Sequence, residues 1–462
     1  MSHIADHPAA DPRTAGPRAP AWPRRSYAWY VVGVLTVAYT FSFVDRQILS
    51  LLVGPVRRDL GISDTQISLL QGLAFALFYT ILGLPIGRLA DRTSRRRVIA
   101  VGIGLWSVMT MVCGLASSFW TLFLARMGVG VGEATLSPAA YSIVADYFPP
   151  RVLPKAMSVY SMGIFVGAGL AFILGGAVID LTTANTDWVL PLIGPVRPWQ
   201  MTFFAVGLPG FLVVALMASV REPRRRGRLT DDREGAAPPV PLIDVLRFLI
   251  ARRRTYGAHF FGIALMALMG YGAAAWIPEF AVRTYGMARG DIGLAYGAGI
   301  LVLSTGGIVA AGWLTSHLAA KGFSDASFRV IIGAALIIFV TGSMATLMPT
   351  PTGFFLLMAP LLLVSGVSNG IGPAALQLIT PNEMRAQVSA VYLFVINMIG
   401  LGLGPTVVAV MTDYLFGYDG GVKYSLALLH AGAAPLAAVI LWRGLRHLRA
   451  SEAEAAAWRA KD

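Results

Sequence analysis

The sequence predicts an all-α membrane protein with twelve transmembrane helices in two pseudo-symmetric six-helix bundles. Three observations predict it. The chain of 462 residues is 56% hydrophobic with mean hydropathy +0.66, and only 13% of it is charged, about half the charged fraction of a soluble protein. Its apolar residues fall into runs of about 20, the length that crosses a bilayer. Twelve such runs are separated by short polar turns, with one long charged segment in the middle.

Taken in order, the first six runs lie near 27–53, 65–88, 97–116, 120–147, 156–180 and 200–220. The second six lie near 255–282, 291–318, 328–347, 352–380, 386–413 and 424–446. Residues 1–26 are rich in Pro, Ala and Arg and lack the apolar core of a signal peptide, so they read as a disordered cytoplasmic tail. The segment 221–241, "REPRRRGRLTDDREGAAPPVP", has no apolar run and divides the halves. "LIDVLRFLIARRR", 242–254, reads as an amphipathic helix lying in the interface. The expected domains are therefore 1–26, a first bundle over 27–220, a linker over 221–254, a second bundle over 255–446 and a cytoplasmic tail over 447–462.

Most of the 37 Lys and Arg fall in turns on the side of the two termini. By the positive-inside rule both termini are cytoplasmic, in a multi-pass protein of the cell (inner) membrane. The net charge of +13 is then topological signal plus attraction to anionic membrane lipids, and nucleic acid is not an expected partner. One cysteine, Cys113, and six scattered His offer no disulfide framework or metal-ligand spacing. There is no nucleophile elbow, P-loop or dinucleotide fingerprint. An enzyme, a metal site and a cofactor are not expected.

The halves repeat. "GRLAD" (87–91) follows the second run and "GWLTS" (312–316) the eighth, while "SPAA" (137–140) and "GPAA" (372–375) lie in the fourth and tenth. Two similar bundles facing each other across a cavity make a carrier architecture with a site at the midplane.

Charges inside membrane helices are costly, and they mark function by default. Asp45 and Arg46 interrupt the first run, and Arg126 and Glu133 the fourth. Arg126 and Glu133 are seven residues apart and share a helix face. Depth and charge pair Asp45 with Arg126 and Glu133 with Arg46. Either Glu133 or Asp45 is the proton-coupling group, and Glu133 is preferred because it lies deeper. Arg46 and Arg126 serve the charge network or hold an anionic head group. The second half shows only neutral groups at mid-helix, of which Asn369 and Asn397 are candidate cavity contacts. Asp91, Arg92 and Arg95 sit at the inner end of the second run, and Asp146 is the expected partner of Arg95.

"GRLADRTSRRR" (87–97) and "RMGVGVGEA" (126–134) resemble signatures of the major facilitator superfamily, and the resemblance extends over all twelve runs. Ser94 stands where the first signature has a glycine, and "GAGLAFILGG" (167–176) lacks the proline typical of antiporters. "FVDRQILSLL" in the first run, "GEATLSPAAYSIVADYFPP" (132–150) and "REP" (221–223) resemble the Spinster group and its bacterial homologues. The resemblance implies proton-coupled transport of lysolipids or sphingoid lipids by alternating access, driven by the proton gradient. It also implies an inner gate in which Asp91 caps a helix N-terminus of the other half, with Arg92, Arg95 and Asp146 around it. A carrier of organic anions, sugars or drugs is the alternative, and a non-transporting receptor or scaffold a remote one. A monomer is expected.

Overall fold

The structure is a computed structural model; it describes residues 22–149, 152–184, 188–191, 194–225 and 240–459, without the side chains of residues 84, 91, 154, 382, 386 and 456–459. The described residues are almost wholly helical. The first half holds α1 (Arg25–Leu51), α2 (Val53–Leu60), α3 (Asp64–Gln71), α4 (Leu73–Arg92), α5 (Arg95–Cys113), α6 (Phe119–Glu133), α7 (Leu136–Tyr147), α8 (Leu153–Thr183), α9 (Pro198–Gly207) and α10 (Gly210–Ala218). After α11 (Leu242–Ala251), the second half holds α12 (Arg253–Tyr285), α13 (Arg289–Gly299), α14 (Thr305–Ala320), α15 (Ala326–Ala345), α16 (Pro351–Ser365), α17 (Val367–Ile379), α18 (Arg385–Ile396), α19 (Gly404–Val410) and α20 (Val422–Arg459). Short π-helical stretches, Ile300–Ser304, Asn397–Gly402 and Met411–Phe416, lie within the eighth and eleventh spans.

Among the described residues, eleven helical runs are long and apolar enough to cross a membrane. The remaining expected span, the fourth, is split: α6 ends at Glu133 and α7 starts at Leu136. Pro138 lies in the first turn of α7 and leaves the carbonyl four residues back without its usual donor. The tenth span divides similarly between α16 and α17, at Gly366. The two halves thus share a mid-span break as well as sequence.

Helix ends carry their signals. Ser63 and Gln66 form a reciprocal capping box at α3, and Ser118 with Thr121 does so at α6. Gly61, Gly286 and Gly417 adopt left-handed conformations that end helices at the turns remote from the termini. Ser94, where the signature has glycine, caps α5 by accepting from Arg97 N–H.

Within the halves, α1 packs on α8, α5 on α6, and α20 on both α12 and α15. Between them, the second span meets the eleventh (α3 on α19, α4 on the Asn397–Gly402 stretch), and the fifth meets the eighth (α8 on α13). Moving each partner by six spans exchanges these two pairs, the signature of a two-fold relation. The fifth–eighth crossing is backbone-close: a Cβ on Gly297 would lie 2.5 Å from the Gly169 carbonyl oxygen.

The ends of the chain differ in detail from their expected limits. Within the expected cytoplasmic tail over 447–462, α20 runs unbroken to Arg459. Its extension is held where Thr255 Oγ1 meets Ser451 Oγ at 2.9 Å and Arg252 pairs with Glu454. The disordered tail expected over 1–26 lies mostly outside the described residues, but Arg25 and Ser26 already belong to α1. Beside the expected all-α architecture, Trp188–Leu190 and Gly194–Val196 form a small antiparallel pair of strands between the fifth and sixth spans.

Candidate transport site

The buried charges of the first and fourth spans meet behind the seam between the halves. Arg46 Nη2 contacts Glu133 Oε2 at 2.5 Å, and Ser42 Oγ donates to the same oxygen at 2.6 Å. The Arg46 guanidinium lies over the rings of Phe75 and Phe43, 4.4 and 4.8 Å from their centroids, a cation–π enclosure that replaces part of its lost hydration. Glu133 Oε1 and Arg46 Nε are buried without a partner. The pair is therefore unsaturated on both sides.

Arg126 is placed differently from expectation. It is fully buried and donates to three backbone carbonyls: Asp45 O at 3.1 Å, Leu70 O at 3.4 Å and Arg46 O at 3.5 Å. No ion pair joins it to the Asp45 carboxylate, whose partner it was expected to be. Its fixed fork of donors is consumed in pinning the first and second spans to the fourth. Asp45 itself is 3% exposed.

Arg46 reaches the seam. With Gln47, Ser50 and Gln71 of the first half, and Tyr271 and Leu401 of the second, it lines a void of about 20 Å³. Gln47 also borders a larger cavity of about 140 Å³ between the halves. That cavity is lined mainly by apolar and aromatic groups such as Phe43, Phe165, Met266 and Tyr296, with Asn369 and His430 among its few polar ones. Asn397 opens a π-helical stretch instead and is not part of the cavity lining.

The end remote from the termini is closed by a lattice of ion pairs that sequence reading missed. Arg283 of α12 grips Asp64 of α3 with both terminal nitrogens, at 2.6 and 2.8 Å. Its Nε donates to Glu279 Oε1 at 2.9 Å. Arg289 Nη1 donates to Glu279 Oε2 at 2.9 Å and to Leu51 O at 3.0 Å. Arg57 pairs with Asp419 at 2.7 Å, and Asp413 accepts from both Thr65 N–H and Thr65 Oγ1 at 2.7 Å. Every one of these clusters joins the first half to the second. Glu279 is only 3% exposed, so the second half carries buried charge at a helix end, beyond the neutral groups expected at mid-helix. The signal was present in the sequence: an acid at the end of an apolar run, with Arg four residues on.

At the opposite end, Arg95 is buried and meets Asp146 Oδ2 at 2.5 Å. It also donates to Ser142 Oγ at 2.7 Å, Glu222 Oε1 at 2.9 Å and Pro223 O at 3.2 Å. Burial works to raise the Glu222 carboxyl, but hydrogen bonds from Arg96 N–H, Arg95 and Ser94 outweigh it and hold the carboxyl below its usual range. This cluster latches the "REP" exit of the sixth span to the third and fourth spans. All its members belong to the first half or the linker beside it. Arg92 is exposed there, and the Asp91 side chain lies outside the described residues.

The fold, the seam and the unsaturated charge pair define a two-bundle carrier. The Major Facilitator Superfamily profile matches residues 35–405, and the chain belongs to that superfamily. The chain is a transporter rather than an enzyme, and within the superfamily it is similar to Spinster proteins. A solved bacterial homologue of the human lysosomal transporter Spinster, in an inward-facing and unoccupied conformation, superposes with TM-score 0.76 at 27% identity, covering 93% of this chain and 98% of that one. An MFS-type efflux pump of Mycolicibacterium smegmatis is 30% identical over 89% of this chain and 90% of its own length. Human spinster homolog 1 is 29% identical, over 55% of this chain and 46% of its own length.

Proposed function

We propose that the protein is a proton-coupled secondary transporter of amphiphilic lipids of lysophospholipid or sphingoid type, working by alternating access with the proton gradient as its driving force. The observation that carries the reading is the Arg46–Glu133 pair, buried behind the seam with one carboxylate oxygen unpartnered. Protonation of Glu133 cancels its hold on Arg46, which already lines the void between the halves. Drawing Arg46 away leaves Glu133 as a buried carboxylate without counter-charge, a form that burial disfavours. A proton and a movement of the seam are thereby linked. Arg46, once free, is placed to meet an anionic or phosphate head group, while the aromatic cavity beside it suits an apolar chain.

The excess of Lys and Arg puts the termini in the cytoplasm of a cell membrane. With that orientation the closed lattice of ion pairs faces outward. The relative named as an efflux pump keeps a second reading open, a carrier of other substrates on the same scaffold. The two are separated by purified protein in liposomes with an imposed pH gradient, assayed for uptake of a lysophospholipid, sphingosine, an organic anion and a cationic dye. Gradient-dependent flux of the lipids alone supports the first reading. Flux of the dye or the anion without lipid flux supports the second.

A further inference from the structure

On the second half, at the end bearing the termini, a groove of about 730 Å³ runs between the start of α12 and the stretch of α20 from Ile440 to Arg449. Its rim carries Arg253, Arg254, Arg443, Arg446 and Arg449, with no acid among the lining residues. All five arginines are exposed. Arg449 is engaged by Asp325 at 2.6 Å, and Arg446 Nε points to His447 Nε2 at 3.2 Å. Arg253, Arg254 and Arg443 have no ion-pair partner among the described residues.

The floor is apolar, formed by Ala258, Ile440 and Leu445. It is also tight, because Gly444 lets α20 settle onto α12: a Cβ there would stand 2.6 Å from that of Ala258. Trp442, 66% exposed, stands beside the groove. The apolar part of α20 ends at Trp442 and the arginines begin at the next residue, so the groove lies at the membrane boundary, the level of interfacial aromatic residues. Topology alone requires positive charge on this side. It does not require unpaired guanidinium groups to converge on one groove with an apolar floor.

We propose that this groove binds the head group of an anionic phospholipid carrying two phosphates. Guanidinium forks match phosphate oxygens in pairs, and Arg253 and Arg254 on one wall with Arg443 and Arg446 on the other supply two such sites. The first acyl segments run along Ala258, Ile440 and Trp442. Basic pockets between membrane helices on the cytoplasmic side recognise lipids of this class.

The test is native mass spectrometry of the purified full chain in detergent, titrated separately with tetraoleoyl diphosphatidylglycerol, dioleoyl phosphatidylglycerol, dioleoyl phosphatidylcholine and inorganic pyrophosphate. The diphosphate lipid binds most tightly to the wild type. The double variant Arg443→Gln/Arg446→Gln weakens it roughly thirtyfold. Arg88→Gln/Arg97→Gln, which removes two exposed charges from the same end of the other half, leaves it unchanged. Equal weakening in both double variants means bulk charge attraction and overturns the site. Phosphatidylcholine binding as well as the diphosphate lipid overturns it as ordinary annular lipid, and pyrophosphate binding as tightly as the lipid overturns it as an inorganic anion site. The wild-type ranking decides the matter even if a variant folds poorly.

Discussion

Glu133 offers two acceptor oxygens and uses one, for both Ser42 and Arg46. That arrangement is poor for stability and good for switching, since desolvation offsets much of a buried pair's attraction while breaking it by halves costs about 3–5 kcal/mol. Glu133→Gln keeps the shape, removes titration and leaves Arg46 uncompensated. The expected result is a lower unfolding midpoint, retained lipid binding, and flux that no longer responds to a pH gradient. Arg46→Lys keeps charge but loses the fork and the flat face over Phe75, so lipid transport falls nearly as far as in Arg46→Ala; wild-type transport in Arg46→Lys would contradict the role. Glu222 makes a different prediction. Its folded carboxyl binds a proton less readily than that of the unfolded chain, so its stabilisation is whole at neutral pH and vanishes as pH falls through and below the ordinary carboxylate range. Thermal unfolding from pH 7 to pH 3 should fall more steeply for the wild type than for Glu222→Gln, whose curve already lacks that contribution. Sequence reading found the Arg46–Glu133 pair because charge and depth leave few partners inside a membrane. It misassigned Arg126 because nothing in a sequence shows that a backbone carbonyl, rather than a carboxylate, will take an arginine's donors.

At the scale of elements, the glycines of α8 and α13 set how closely the fifth and eighth spans approach. Cβ atoms on Gly293 and Gly297 would stand 2.6 and 2.5 Å from the carbonyl oxygens of Phe172 and Gly169. Gly297→Leu cannot be accommodated without separating the helices. The variant should open the closed end, seen as faster labelling of Ser50→Cys by a membrane-impermeant thiol reagent in a Cys113→Ser background. Unchanged labelling would mean that the crossing does not govern that end. The spans themselves were legible from hydropathy, and the broken fourth span was foreshadowed by Pro138. The continuation of α20 to Arg459 was not, because residues 447–459 lack an apolar run. Their helix is held by polar contacts with residues 252 and 255, which no local pattern displays.

At the scale of the molecule, the lattice around Asp64, Glu279, Arg283 and Arg289 is the lock of the closed end. Its parts come from α3, α12 and α13, more than 200 positions apart for Asp64 and Arg283. The long separation hid the lock from sequence analysis, although Glu279 and Arg283 stood in plain view four residues apart. Arg283→Gln strips Asp64 of its bidentate partner and leaves it only the longer contact to Arg57 Nε at 3.5 Å, so the population should shift toward opening at that end by about 1–3 kcal/mol, the worth of hydrogen bonds to a charged group. Spin labels at Arg58→Cys and Tyr418→Cys, one on each half at that end, should report a longer separation in the variant, and an unchanged distance would remove the lock from the cycle. The central claim is that Glu133 links protons to lipid movement, and its most direct test is proton flow itself. Liposomes containing the protein and an entrapped pH-sensitive dye are given a lysophospholipid with no imposed gradient. The wild type is predicted to produce a substrate-evoked pH change that Glu133→Gln abolishes while lipid binding persists; an equal pH change in Glu133→Gln, or lipid flux by the wild type with no proton movement, would contradict the account.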